Sequence, residues 1–127
     1  MIVEARSIVR GSAEGYTLVS SKPINFLAML DLNGRIIDEK HELYNENIAG
    51  KILVFPNSIG SSVGAYTIYN LKRHNTAPKA MICKEADITT ASGCAIANIP
   101  LLDRPKCRLE DLKGRVIINN SIIMLQI

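Results

Sequence analysis

The chain has 127 residues, 47% apolar and 5% aromatic, with no tryptophan. That length suits one domain and lets roughly two-thirds of the unfolded surface be buried, so a core is feasible without disulfides or a structural metal. The net charge of +3 comes from Lys and Arg scattered among Asp and Glu. No run of like charge marks a nucleic-acid arm or a membrane-surface helix, and no apolar window reaches the length of a membrane span.

In chain order, Ile2–Val9 and Gly15–Ser20 read as short β-branched strands separated by Gly11-Ser12-Ala13. Pro23 opens a further extended stretch through Phe26, Leu27, Met29 and Leu30. Asn33-Gly34 is a turn signal, followed by the apolar pair Ile36-Ile37. Residues 38–50 are polar and read as loop, with His41, Tyr44 and Asn45 exposed. Lys51–Phe55, closed by Pro56, has the continuous apolar character of a central strand buried on both faces. Asn57–Ser62 is a turn, and the chain from Val63 to His74 is the best helix. Asn75–Pro78 stops it before a second buried strand, Ala80–Cys83. This strand–turn–helix–strand unit calls for parallel strands.

Beyond it come a short helix or turn around Ala86–Ser92 and the apolar run Cys94–Pro100. Leu109–Gly114 reads as a tight connection, and Arg115–Asn120 with Ile122–Leu125 as two closing strands. The low aromatic content leaves Ile, Val, Leu and Ala to build the core, as suits a sheet covered by helices. The expected fold class is α/β: a single compact β/β/α domain over residues 1–127, richer in strand than helix.

Three cysteines, Cys83, Cys94 and Cys107, are an odd number without a CxxC pair. That pattern argues against a disulfide framework and against a self-contained zinc or iron–sulfur site. Cys83, inside Ala80-Met81-Ile82-Cys83, reads as a buried structural thiol. The start Met1–Arg6 lacks a basic region followed by a long apolar stretch, so a cytoplasmic location is expected. His41 and His74 stand apart from each other and from any Cys or carboxylate cluster, and read as exposed and without function.

The informative segment is Pro56-Asn57-Ser58-Ile59-Gly60-Ser61-Ser62-Val63-Gly64, which leaves a buried strand and opens a helix. The first N–H groups of a helix lack internal partners and carry partial positive charge, so an anion is welcome there. Glycine lets a ligand approach the backbone, and two serines bring hydroxyls to the same spot. The plainer alternative is a serine that only caps the helix. The segment is neither a Walker loop nor a Rossmann fingerprint, because the Gly-Lys-Ser/Thr ending and the glycine spacing are missing. A serine acting as general base needs its alkoxide stabilised by far more than a helix end supplies, about 1 kcal/mol. Catalysis by this chain therefore calls for a partner.

Gly60-Ser61-Ser62-Val63-Gly64-Ala65-Tyr66, with Ala77-Pro78-Lys79-Ala80, Glu85-Ala86 and Ile99-Pro100-Leu101-Leu102-Asp103-Arg104, resembles the small subunit of the aconitase X family. Arg10–Gly15 and Pro23-Ile24-Asn25-Phe26 match it too, so the resemblance spans nearly the whole chain. It implies a swivelling β/β/α domain paired with a large catalytic subunit that holds an iron–sulfur cluster, no metal being bound by this chain. It also implies a hydro-lyase acting on a phosphorylated small molecule, converting (R)-5-phosphomevalonate to trans-anhydromevalonate 5-phosphate in the archaeal mevalonate route. The serine directly after the glycine, the base in the wider group, maps to Ser61, with Ser62 beside it. Gly60, Gly64 and Arg104 are the candidates on this chain for holding substrate. Two departures stand out: Asn57-Ser58-Ile59 where relatives carry another glycine, and Val63-Gly64 where ordinary aconitases carry an arginine. Three alternatives stay open: a dehydratase for another hydroxy acid, such as a hydroxyproline, a non-catalytic anion-binding module, and a plain structural domain.

Overall fold

The structure is a computed structural model that describes residues 1–126. Its elements are β1 (Ile2–Glu4), β2 (Arg6–Val9), β3 (Ser12–Val19), β4 (Ile52–Phe55), α1 (Gly64–Arg73), β5 (Ala80–Cys83), α2 (Ile88–Ala97), β6 (Leu101–Asp103), a 3-10 turn (Leu109–Leu112), β7 (Arg115–Asn119) and β8 (Ile122–Gln126). The strands follow the order β1-β8-β7-β3-β4-β5-β6-β2. β3, β4, β5 and β6 run parallel, and β2 lies antiparallel beside β6. β1, β8, β7 and the first part of β3 form an antiparallel sheet.

β3 joins the two sheets: Ser12–Tyr16 pair with β7 and Thr17–Val19 with β4. The two outermost strands of the series, β1 and β2, are halves of one run broken only at Ala5. The run Ile2–Val9 is therefore two strands rather than one. Each half has its own partner, so neither sheet ends in a long free edge.

Side-chain alternation along the central strands sets the layers. Ile52 and Val54 of β4, Ala80 and Ile82 of β5, and Leu102 of β6 pack against Val3, Val116, Ile118 and Ile123 between the sheets. Leu53, Phe55, Met81, Cys83 and Leu101 face the other way, onto Ile68 and Leu71 of α1 and Cys94 and Ala97 of α2. Every residue of β4 and β5 is buried, which explains their unbroken apolar runs. The result is the expected three-layer β/β/α domain. The helices cross closely at Gly93, where an added Cβ would come within 2.7 Å of Ile68 Cδ1 and 3.2 Å of Ala65 Cα.

Several expectations are overturned. The stretch 23–30 is not extended. The Asn25 carbonyl accepts from Met29 N–H at 2.9 Å and its side-chain oxygen from Ala28 N–H at 3.0 Å, winding a local turn that buries Phe26 and Leu30. His41 is 6% exposed rather than solvated. Its Nδ1 accepts from Leu43 N–H at 3.0 Å, which leaves Nε2–H to donate to Pro23 O at 3.0 Å. His74 is exposed, as expected. The apolar run from Cys94 continues the helix begun at Ile88, because Asp87 caps its start and Asn98 ends it in a left-handed conformation.

Candidate functional site

The parallel strands β3 to β6 end on one side of the domain, and each is followed there by a polar segment. Ligands of open parallel sheets characteristically bind at that carboxyl edge. Leaving β4, the chain passes Pro56 and makes the serine turn before α1 begins at Gly64. Gly60 sits at φ +91°, a left-handed conformation that favours glycine. A Cβ there would also run into the side-chain amide of Asn25. Across the turn, a Cβ on Gly64 would lie 3.3 Å from Thr89 Cγ2 and 3.4 Å from Phe26 Cβ. The turn is therefore wedged between the Asn25 segment and the start of α2.

Ser61 O accepts from Gly64 N–H at 3.0 Å and Ser62 O from Ala65 N–H at 3.1 Å. Ser61 Oγ accepts from Val63 N–H at 3.1 Å. Ser62 is exposed, and its hydroxyl makes no hydrogen bond among the described residues. Nor do the N–H groups of Ser61 and Ser62 find an acceptor among those residues. No acidic residue stands in the first turn of α1, so the positive end of that helix is not neutralised by its own sequence. The structure thus differentiates the two serines: Ser61 Oγ receives a backbone donor, which favours a developing alkoxide, and Ser62 Oγ does not. Ile59, Val63 and Tyr66 flank the turn with 47%, 47% and 67% of their surface exposed.

Gly60, Ser61, Ser62 and Gly64 therefore share one turn. Arg104 lies instead in a cleft of about 610 Å³ at the same carboxyl edge, lined with Ser21, Pro56, Lys84 and Arg108 among others. Pro56 belongs to both places, since it lines the cleft and opens the serine segment. Arg104 has φ +49° and its guanidinium pairs with Glu85 at 2.9 Å, both groups being more than half exposed. Asp103, its neighbour in sequence, is fully buried in β6 and takes a bidentate pair from Arg6 at 2.8 Å and 2.8 Å. It also accepts from Ala86 N–H at 2.8 Å. Burial opposes its charge, yet the bonds from Arg6 and Ala86 and the positive charges of Arg6 and Arg104 hold its carboxyl below the usual range.

Asp87 went unnoticed in the sequence as a site residue. It accepts from Ser58 N–H at 2.9 Å, from Thr90 Oγ1 at 2.9 Å and, more closely, from the Ser58 hydroxyl. Burial again opposes ionisation, and the bonds from Ser58 and Thr90 outweigh it, lowering the pKa. An Asp directly before a helix was a readable cap signal. Its reach back to Ser58 was not.

The cysteines do not fit a cluster or metal site. Cys83 and Cys94 are buried in the sheet–helix core, where desolvation pushes both thiols up, Cys94 to about 12. Cys107 stands alone in the cleft wall. Among the described residues no three His, Cys, Asp or Glu side chains are grouped to hold a metal ion, and no helix is long and apolar enough to cross a membrane.

Comparison with known proteins is consistent with this geometry. The family model described as the aconitase X swivel domain matches residues 2–124. The chain is 44% identical over 115 residues to the phosphomevalonate dehydratase small subunit of Methanothermobacter thermautotrophicus, covering 90% of this chain and 86% of that one. It is 48% identical over 103 residues to the Pyrococcus furiosus protein of the same name, covering 80% and 77%. A crystal structure of Thermococcus kodakaraensis aconitase X in its holo-form superposes with a TM-score of 0.94 at 39% identity, covering 100% of this chain and 99% of that one.

Proposed function

The chain belongs to the aconitase X swivel-domain family, and from that membership we propose that it is the small subunit of a phosphomevalonate dehydratase. In this reading it acts only with a large subunit, and the pair removes water from (R)-5-phosphomevalonate to give trans-anhydromevalonate 5-phosphate. The relatives bearing that name match most of their own length, which supports transfer of the subunit role.

Ser61 is the base. As its alkoxide it takes a proton from the carbon next to the departing hydroxyl and becomes the neutral hydroxyl, and the Val63 N–H bond to Oγ supports the alkoxide before that transfer. The carrying observation is that a hydroxyl with a backbone donor stands at the start of a helix whose own first turn holds no acidic residue. Gly60 gives the turn its conformation and leaves its backbone exposed to substrate, whereas Gly64 is buried and lets α1 start close against Phe26 and Thr89. Arg104 offers a charge to the substrate's anionic groups, and its exchange of Glu85 for such a group costs little, since exposed ion pairs are worth about 0–1 kcal/mol. We place the iron–sulfur cluster on the large subunit, because the cysteines of this chain are buried or isolated. The chemistry of the departing hydroxyl lies outside this chain. Ile59, Val63 and Tyr66 form an apolar rim that the large subunit would cover.

The test is reconstitution. The chain, mixed anaerobically with the large subunit, should release water from (R)-5-phosphomevalonate, while either subunit alone is inactive. A pair that leaves phosphomevalonate intact and dehydrates a hydroxyproline would overturn the substrate assignment. A chain that finds no larger partner would overturn the subunit role.

A further inference from the structure

Residues 57–62 lie outside every helix and strand, so the position of Ser61 depends on a few bonds to its neighbours. On one side Ile59 N–H donates to Ile24 O at 3.0 Å and Ile24 N–H to Asn57 O at 3.2 Å. On the other side stands the Asp87 carboxylate, bound by both the backbone N–H and the hydroxyl of Ser58. Ser58 is 7% exposed and Thr90, the carboxylate's other partner, is fully buried.

Capping α2 requires only the bond from Thr90 N–H, and at 3.4 Å that is the longest of the four that Asp87 accepts. The bonds to Ser58 are additional and shorter. They reach back 29 residues and hold the segment three residues ahead of Ser61. We propose that Asp87 is a positioning residue that locks the serine turn onto the first turn of α2 and so holds the Ser61 hydroxyl in reacting register. The proposal rests on Ser61 being the base. Its leverage comes from geometry: a misplacement of about 1 Å costs roughly 10²-fold in rate.

The experiment uses the two-subunit holoenzyme. Asp87→Ser keeps a favoured cap residue for α2 but is too short to hold both groups of Ser58. Asp87→Asn keeps the length and one acceptor oxygen. The Ser variant should lose about 30-fold or more in kcat with KM changed less than about twofold, and the Asn variant should recover part of the loss. Amide exchange at Ser58 and Ile59 should quicken in the Ser variant while amides of α2, β4 and β5 keep their protection. Unchanged kcat in Asp87→Ser, or loss of α2 protection together with the turn, would overturn the positioning role. Activity retained in Ser61→Ala beside a slow Asp87→Ser would instead remove the base assignment and leave the tie through Asp87 standing.

Discussion

Replacing Ser61 and Ser62 by alanine, one at a time, separates catalysis from a structural role in the turn. Ser61 Oγ accepts a single hydrogen bond, from Val63 N–H at 3.1 Å, at an exposed turn. That bond closes the turn and does not cap α1, whose N-cap is Val63 without a side-chain bond; losing it costs about 0.5–1.5 kcal/mol of stability. For a domain of this size that lowers Tm by a few degrees, since about 1 kcal/mol corresponds to roughly 4 °C. Loss of a general base costs about 10²–10⁴-fold in rate, which is roughly 3–5 kcal/mol of barrier. Ser61→Ala should therefore melt slightly early and lose at least 10²-fold in kcat, in an assay of water release by the reconstituted holoenzyme. Ser62→Ala breaks no hydrogen bond among the described residues. It should melt with the parent chain and keep kcat within about tenfold. The reverse pattern, with Ser61→Ala active and Ser62→Ala dead, would refute the argument that the donor-bound hydroxyl is the base.

Other expectations concern the scaffold. Asp103→Ala leaves Ala86 N–H unpartnered and frees Arg6, whose side chain is 46% exposed and rehydrates. A loss of about 2–3 kcal/mol should follow, read by urea unfolding. In the parent chain, Asp103 has a lowered folded pKa. Its contribution is therefore complete above the unfolded value near ~3.9 and is lost as pH falls through the folded one; Asp103→Ala should show a shallower acid decline. Gly60→Ala places a Cβ against Asn25 at φ +91°, so about 1–3 kcal/mol of strain should appear as a lower Tm, with loss of holoenzyme activity. Native thiol labelling followed by mass spectrometry should modify Cys107 first. Burial pushes the Cys94 and Cys83 thiols well above their ordinary range and shields both, so rapid labelling of either would contradict the buried core.

The core was legible where burial on both faces leaves no polar residue to interrupt the pattern. Ile52–Phe55 and Ala80–Cys83 carry that signature and form the strands expected. The pattern was less informative from Cys94 to Ile99, because a short apolar run has no period of its own. There Asp87 decided the outcome by starting a helix that ends only at Asn98. The stretch 23–30 shows the same competition, since one Asn25 side chain converts an apolar run into a turn. The serine turn could be read from Gly60-Ser61-Ser62 because all its parts are adjacent. Asp87 and Ser58 act across 29 residues, and Arg6 and Asp103 across 97. Nothing local marks such partners. Adjacency is no guide either, since Asp103 turns inward along β6 and Arg104 leaves it in a left-handed conformation.

The electrostatics of the turn also bear on why a serine here would need a second protein. One pKa unit corresponds to 1.36 kcal/mol, and a helix end at the surface supplies about 0.3–1 kcal/mol. The Val63 N–H bond adds a contribution of similar size, about 1 kcal/mol. Together they move a hydroxyl by one or two units, far short of what a neutral-pH base requires. Three cations at the carboxyl edge, Lys84, Arg104 and Arg108, line a separate cleft, and Arg104 and Arg108 already meet Glu85, Glu110 and Asp111. The remaining stabilisation must come from groups brought against the exposed face of the turn, where Ile59, Val63 and Tyr66 leave apolar surface uncovered. Covering that surface would strip water from Ser61 and raise the effect of every charge placed opposite it. On the proposal that Ser61 is the base, docking of the large subunit would be what switches it on.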